Sequence, residues 1–290
     1  MEKIKPFHYY NPETLDEALL ILAEKGDQVK FLAGGTDLLV MMKDRVLTPE
    51  YVIDLKAIPG LDQITWNEEK GLDIGALVKV SDVISSSIVK EKFPSLYQGA
   101  KQLGTPQLRN MATVAGNVCR SSPSADLIPS LLVLDASLTL RGQEGERMVK
   151  LDDFLTGPGK NVLKDEILTE ITMPSDKRSY QTGFFKLGRL SEDLSKVNCA
   201  VKMVIADGKF EEIQIAIGAV APRVTRARSV EQALLGEAAI QEVIHQAARL
   251  VVNDISPISD VRSTAEYRLR TSQVIIERLI IKLLNEGKAK

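Results

Sequence analysis

Two stretches of the chain carry residue types that could hold an anionic ligand. In the first, an apolar strand over 29–33 runs into Gly34, Gly35, Thr36 and Asp37, and an apolar helix over 38–42 follows. Strand, double glycine, hydroxyl and helix bring backbone N–H groups and a positive helix end to one place, which is what an anion needs. The second stretch, 113–126, reads Thr-Val-Ala-Gly-Asn-Val-Cys-Arg-Ser-Ser-Pro-Ser-Ala-Asp, with no apolar run long enough for a strand and no helical period. Here Gly116 permits positive φ and close backbone approach, and Asn117 tolerates the left-handed conformation. Ser121, Ser122 and Ser124 supply hydroxyls, and Pro123 stiffens the turn. Small residues with exposed N–H groups ahead of an apolar helix over 127–134 suit a phosphate-bearing ligand. Asp126 reads equally as a cap of that helix or as a carboxylate that binds a ligand hydroxyl, and Asp37 has the same two readings. Taken singly, each loop is also explained as a tight turn with a helix cap.

Other chemically capable residues are few. The two cysteines, Cys119 and Cys199, and two histidines, His8 and His245, are too few for a four-cysteine iron–sulfur cluster and lack zinc-ligand spacing. Only Arg120 stands near Cys119 to lower its pKa, so this cysteine reads as a small pocket-lining residue rather than a redox thiol. Arg109 and His245 read as structural. Lys186, taken alone, reads as an ordinary edge-strand lysine. No pair of carboxylates stands out for acid–base work.

The elements that must position these residues follow from periodicity. Residues 11–26 form an amphipathic helix, with Thr14 as N-cap, acidic residues in its first turn and Gly26 at its end. With the strands at 29–33 and 51–55 and the helix after Gly35, it makes a βαβ subdomain of roughly sixty residues that lacks G-x-G-x-x-G. Short strands at 61–66 and 72–76 pair as a hairpin over the turn 67–71, Ser81 caps a helix through 89, and 94–103 is a further helix. Beyond the second loop, 137–141 and 147–151 pair over 142–145, residues 154–160 form a loop, and 167–173 is a strand. After a linker at 174–178 come strands at 184–187, 198–205 and 212–220, the last two joined over Asp207-Gly208. Helices at 229–235, 238–252 and 263–286 complete the chain. The last is too apolar for a solvated arm and must pack on a sheet or a partner.

Bulk properties narrow the function classes. A chain of 290 residues, 44% hydrophobic and 26% charged, is long enough for one large or two medium domains with ample core. A formal charge of −2 without a Lys/Arg cluster argues against nucleic acid as the main partner. No apolar run approaches membrane-spanning length and the first residues lack a leader's apolar core, so a cytoplasmic protein is expected.

The motifs together carry a resemblance. Ala-Gly-Gly-Thr-Asp at 33–37, Gln-Leu-Arg-Asn-Met-Ala-Thr-Val-Ala-Gly-Asn at 107–117 and Ser-Pro-Ser-Ala-Asp at 122–126 resemble the FAD-binding subunit of the molybdenum hydroxylases. That family includes the flavin subunits of xanthine, carbon monoxide, nicotinate and 4-hydroxybenzoyl-CoA oxidoreductases, and the likeness runs over essentially the whole chain. One departure is Ala115, where the family often has glycine; it asks only that the position tolerate a Cβ. The resemblance implies an α+β fold: a two-subdomain FAD-binding domain of the PCMH/VAO type over 1–176, divided near 57, then a C-terminal domain over 177–290 with a three-stranded antiparallel sheet plus helices.

The resemblance also implies which residues meet the cofactor. These are Lys30, Phe31, Leu32, Ala33, Gly34, Gly35, Thr36 and Asp37 from the first loop and its strand, and Leu103 and Gly104. Thr113, Gly116, Asn117, Cys119 and Asp126 follow from the second loop, Leu163 against the isoalloxazine ring, and Lys186 at the flavin's polar edge. No residue of this chain ligates a metal. The [2Fe-2S] clusters and the molybdenum cofactor would sit on a small and a large partner subunit, and FAD would pass electrons to an acceptor such as NAD⁺. A stand-alone FAD oxidoreductase and a non-catalytic nucleotide-binding scaffold subunit are the alternative functions.

Overall fold

The computed structural model describes residues 4–190 and 192–288. The N-terminal quarter folds as a three-stranded parallel sheet in the order His8–Tyr10, Tyr51–Asp54, Val29–Leu32. The helix Leu15–Lys25 forms where the apolar spacing demands it. The Thr14 hydroxyl accepts the Glu17 N–H at 3.2 Å, and Gly26 (φ 59°) ends it. Its Ala18, Leu19 and Leu22 bury against Val29, Ile53 and Leu55 of the sheet layer. The strand His8–Tyr10 is an addition to the expected unit. Three residues are too few to show a period.

The middle of the chain builds a five-stranded antiparallel sheet in the order Ile64–Asn67, Gly71–Gly75, Ile167–Pro174, Ser137–Gly142, Gly145–Lys150. Short helices cover it, among them Pro94–Gln102 and the fully buried Ile128–Val133, and the shared core runs from Leu72 and Ile74 through Phe93, Leu131 and Phe154. Ser81 does not cap here: the helix Val80–Ser85 starts one residue earlier, and a second helix, Ser87–Lys92, takes Ser86 as its cap, accepting from the Val89 N–H at 3.3 Å. A single helix through 89 is broken where Ser86 turns to an extended backbone.

The last portion is an antiparallel sheet in the order Gln181–Leu187, Val197–Ala206, Lys209–Gly218, Thr225–Arg226. Three long strands match the expectation, and a fourth of only two residues adds to the edge. Asp207 and Gly208 both take positive φ (50° and 73°), as the two-residue hairpin requires. The helix Ala265–Lys288 lays Ile276, Leu279, Ile280 and Leu283 on this sheet. Among the described residues, no helix is long and apolar enough to cross a membrane.

Charge pairs tie the segment after Ile167–Pro174 to the last sheet. The Asp176 carboxylate receives Arg178 Nη2 at 2.9 Å and Lys202 Nζ at 2.8 Å, and these two cations hold it well below the usual carboxylate range. Burial raises Asp152, yet Arg223 and Arg228 outweigh it and depress that group as well. A depressed folded pKa contributes stability that is present above the unfolded value and lost as pH falls through the folded one. Unfolding free energy is therefore expected to fall as pH drops below about 4, and Lys202→Met should flatten that fall in urea titrations.

Candidate functional site

The strand Val29–Leu32 delivers the chain into 33–37, and the helix Leu38–Lys43 takes it away. Gly34 packs flat on the second segment: a Cβ there would lie 2.1 Å from the Met111 carbonyl oxygen and 3.0 Å from the Ala112 Cα. Gly35 sits at φ +71° over Leu32 and Leu39. Among the described residues, the N–H groups of Gly35, Thr36 and Asp37 donate to no backbone carbonyl, so they can serve a ligand. Asp37 occupies the N-cap position, but its side chain makes no capping bond. It pairs with Arg120 Nε at 3.4 Å, joining the first loop to the second. Capping is therefore not its role. Lys30 is exposed on the strand, while Phe31 and Leu32 are half-buried.

The second segment departs from the expected loop. Its first half is a helix, Val114–Arg120, and Thr113 caps it by accepting the Gly116 N–H at 3.0 Å. Val114, Ala115 and Val118 bury one face in the central core, so the Ala115 Cβ is accommodated there. Gly116 is not at positive φ but faces out of the helix, where a Cβ would meet the Thr113 hydroxyl at 2.7 Å. The left-handed residue is Ser121 (φ 49°), not Asn117, because that is where the helix must stop. Seven residues containing a glycine and an asparagine show no readable period, which hides the helix in the sequence.

Asp126 is not a cap either. Leu127 takes the N-cap position of Ile128–Val133 with no side-chain bond, and the Asp126 carboxylate turns to the last sheet. It accepts from Lys186 Nζ at 2.7 Å, Ser195 Oγ at 2.5 Å and Asn198 Nδ2 at 3.1 Å. Lys186 is likewise no surface lysine: its side chain is 3% exposed and also donates to the Gln102 carbonyl at 2.8 Å. The strand bearing it lies at the sheet edge, yet Pro94–Gln102 covers that edge, with Phe184 N–H bonded to Gln98 Oε1. Arg109 Nη1 donates to the carbonyls of Lys101, Leu103 and Gly104, closing the end of this helix, so its structural reading holds. Leu103 is buried, and Gly104 turns at φ +48°.

A small hairpin of Leu155–Gly157 and Lys160–Asn161 clasps the helix end. Asn161 Nδ2 donates to the Cys119 carbonyl at 2.8 Å and to Ser121 Oγ at 3.2 Å, while its Oδ1 accepts the Leu163 N–H at 3.1 Å. Leu163 is thus held beside Cys119 and Ser121. Cys119 is only half-buried as a residue, yet burial of its thiol pushes the pKa up to about 12, and Cys199 is raised by the same cause. Both are poor nucleophiles. Under native conditions near pH 8, a thiol reagent is expected to modify neither, and both should react in denaturant.

The structure thus joins 33–37 to 111–120, Lys186 to Asp126, and Leu163 to the end of the second segment. Arg120, Asn161, Ser195 and Asn198 were not legible as site residues, since each acts through a partner distant in sequence. Asn117 and Lys186 both have capacity left for a ligand. Asn117 Oδ1 is buried without a hydrogen-bond partner among the described residues, and the Lys186 ammonium has three N–H groups for the two acceptors present. A cradle of free N–H groups, an orphaned acceptor and a buried cation with a spare donor fits an extended dinucleotide with a polar ring.

The segments at 33–37 and 113–126 thus lie within a fold built of a parallel subdomain, an antiparallel subdomain and a covering sheet. Residues 5–176 match the family described as the FAD binding domain in molybdopterin dehydrogenase, and 183–283 match the CO dehydrogenase flavoprotein C-terminal domain. The chain is 33% identical to the carbon monoxide dehydrogenase medium chain of Hydrogenophaga pseudoflava, over 94% of this chain and 96% of that one. It is 32% identical to the xanthine dehydrogenase FAD-binding subunit of Escherichia coli O157:H7, over 94% of each. A solved structure of the H. pseudoflava carbon monoxide dehydrogenase, lacking the Mo-pyranopterin moiety of its cofactor, superposes with a TM-score of 0.94, covering 98% of this chain and 99% of that one at 33% identity. The chain belongs to the FAD-binding subunits of the molybdopterin dehydrogenases, the xanthine dehydrogenase family of oxidoreductases.

Proposed function

We propose that FAD lies extended between 33–37 and 113–126, with its ring by Leu163 and Lys186, and that this chain carries electrons from [2Fe-2S] clusters of one partner subunit to an acceptor such as NAD⁺. The molybdenum cofactor belongs to another partner. Bound FAD supplies a centre that takes electrons singly and releases them singly or as a hydride. The observation that carries the reading is the contact of Gly34 with the Met111–Ala112 backbone, which sets the free N–H groups at 35–37 beside the segment leading into the helix Val114–Arg120. The residues named for FAD are Lys30 to Asp37, Leu103, Gly104, Thr113, Gly116, Asn117, Cys119, Asp126, Leu163 and Lys186. With a division of the chain near 176, the cofactor loops fall in the first domain and Lys186 in the second. A cytoplasmic location belongs to the same reading.

The chain's own part is to bind and orient. Free N–H groups at 35–37 and the Thr36 hydroxyl meet the pyrophosphate, and Arg120 offsets the Asp37 charge beside it. Lys186, fixed by Asp126 and the Gln102 carbonyl, presents its remaining N–H to the ring. Gly116→Val would crowd the Thr113 hydroxyl and project into the cradle. FAD binding is expected to be lost while the apo chain loses only about 1 kcal/mol, the worth of one helix cap. Anaerobic addition of NADH to the FAD-loaded chain tests the acceptor. Bleaching of the flavin band supports NAD⁺, and an unchanged spectrum, with the chain still reduced by dithionite, rules it out.

A further inference from the structure

We infer that a buried network of Lys186, Asp126, Ser195 and Asn198 sets the reduction potential of the flavin, with Ser195 and Asn198 as positioning residues. The inference rests on the FAD reading above. Asp126 comes from the cofactor loop, whereas its three partners come from the last sheet and the turn that enters it. Ser195 and Asn198 are fully buried, and the side chains of Asp126 and Lys186 are 5% and 3% exposed. The two carboxylate oxygens divide the donors between them, Oδ2 receiving Lys186 while Oδ1 receives Ser195 and Asn198. Asn198 Nδ2 also bonds Ser195 Oγ at 3.0 Å and the Ala125 carbonyl at 3.0 Å, so the donors are themselves fixed. The scaffold holds Ser195 in turn. Its neighbour Lys196 donates its N–H to the Leu187 carbonyl at 2.8 Å, and its carbonyl accepts Arg268 Nη1 at 2.9 Å.

The charges give the direction of the effect. Reduction leaves negative charge on a flavin, and the Lys186 ammonium, with one N–H unspent, favours it. The Asp126 carboxylate opposes it, and in a buried site neither charge is screened by water. The Ser195 and Asn198 donors draw on the carboxylate's negative charge and keep Oδ1 turned away from Lys186. Removing a donor makes the field at the ring more negative, while neutralising Asp126 makes it more positive. The two changes therefore move the potential in opposite directions. A merely structural role would not produce that pattern.

The test is the two-electron midpoint potential of FAD bound to the full chain, measured by dye-equilibrated titration. For Ser195→Ala, reduced FAD is expected to bind about tenfold more weakly relative to oxidised FAD, a drop of about 30 mV for a two-electron couple. Asp126→Asn is expected to raise the midpoint by at least as much. An unchanged midpoint in Ser195→Ala, loss of FAD from that variant, or shifts of the same sign in both variants would overturn the network. Ser195→Ala, which deletes one hydroxyl, decides the matter alone if Asp126→Asn does not hold FAD. A wild-type chain that binds no FAD would overturn the cofactor reading itself, whereas a flavin-loaded chain with unresponsive potentials would overturn only this inference.

Discussion

Gly34→Ala is expected to empty the cofactor site. The added Cβ would fall 2.1 Å from the Met111 carbonyl oxygen, and the atom it meets is backbone, so no side chain can swing away. Ala112 donates its N–H to Leu108 and accepts from Val80, which anchors the opposing segment and forces the strain onto 33–37. The clash should cost about 2–3 kcal/mol of stability. The larger consequence is separation of the two loops, seen as loss of bound FAD by a chain whose far-UV spectrum stays native. Retention of full FAD occupancy would show that the loops act independently.

Asp126→Leu is expected to be the most destabilising single change in the site. It leaves the Lys186 ammonium buried without its counterion, and Ser195 and Asn198 lose an acceptor in the same step. Breaking one half of a buried pair costs about 3–5 kcal/mol, which is large against the stability of an ordinary domain. The double variant Asp126→Leu with Lys186→Met removes both charges and should recover much of that loss, because replacing a buried pair by apolar groups is often close to neutral. Urea denaturation of the wild-type, single-variant and double-variant chains measures it. Equal destabilisation of the single and double variants would mean that the pair's charge is not what holds this region together.

Features written in neighbouring residues were legible in the sequence. Thr14 and Gly26 bound the first helix, Asp207-Gly208 the hairpin, and Gly35 the turn into the second helix, because each acts through its own φ or its own side chain. The helix Val114–Arg120 was not legible, since its buried face of Val114, Ala115 and Val118 is too short to show a period. Of the two readings the sequence leaves for Asp126, the cap fails for a different reason. A carboxylate before an apolar helix looks like a cap locally, and only the folded chain brings Lys186, Ser195 and Asn198, some sixty to seventy residues on, to bind it instead. Lys186 shows the converse. Its edge-strand position suggests a surface lysine, and only the helix Pro94–Gln102 laid over that edge makes it a buried cation.

The visible spectrum of the purified full chain, with identification of the cofactor released on denaturation, decides whether the two loops hold FAD. The expected result is a yellow protein, or a colourless one that turns yellow with added FAD, releasing FAD and neither iron nor molybdenum. A folded chain that is colourless and takes up no FAD would contradict it.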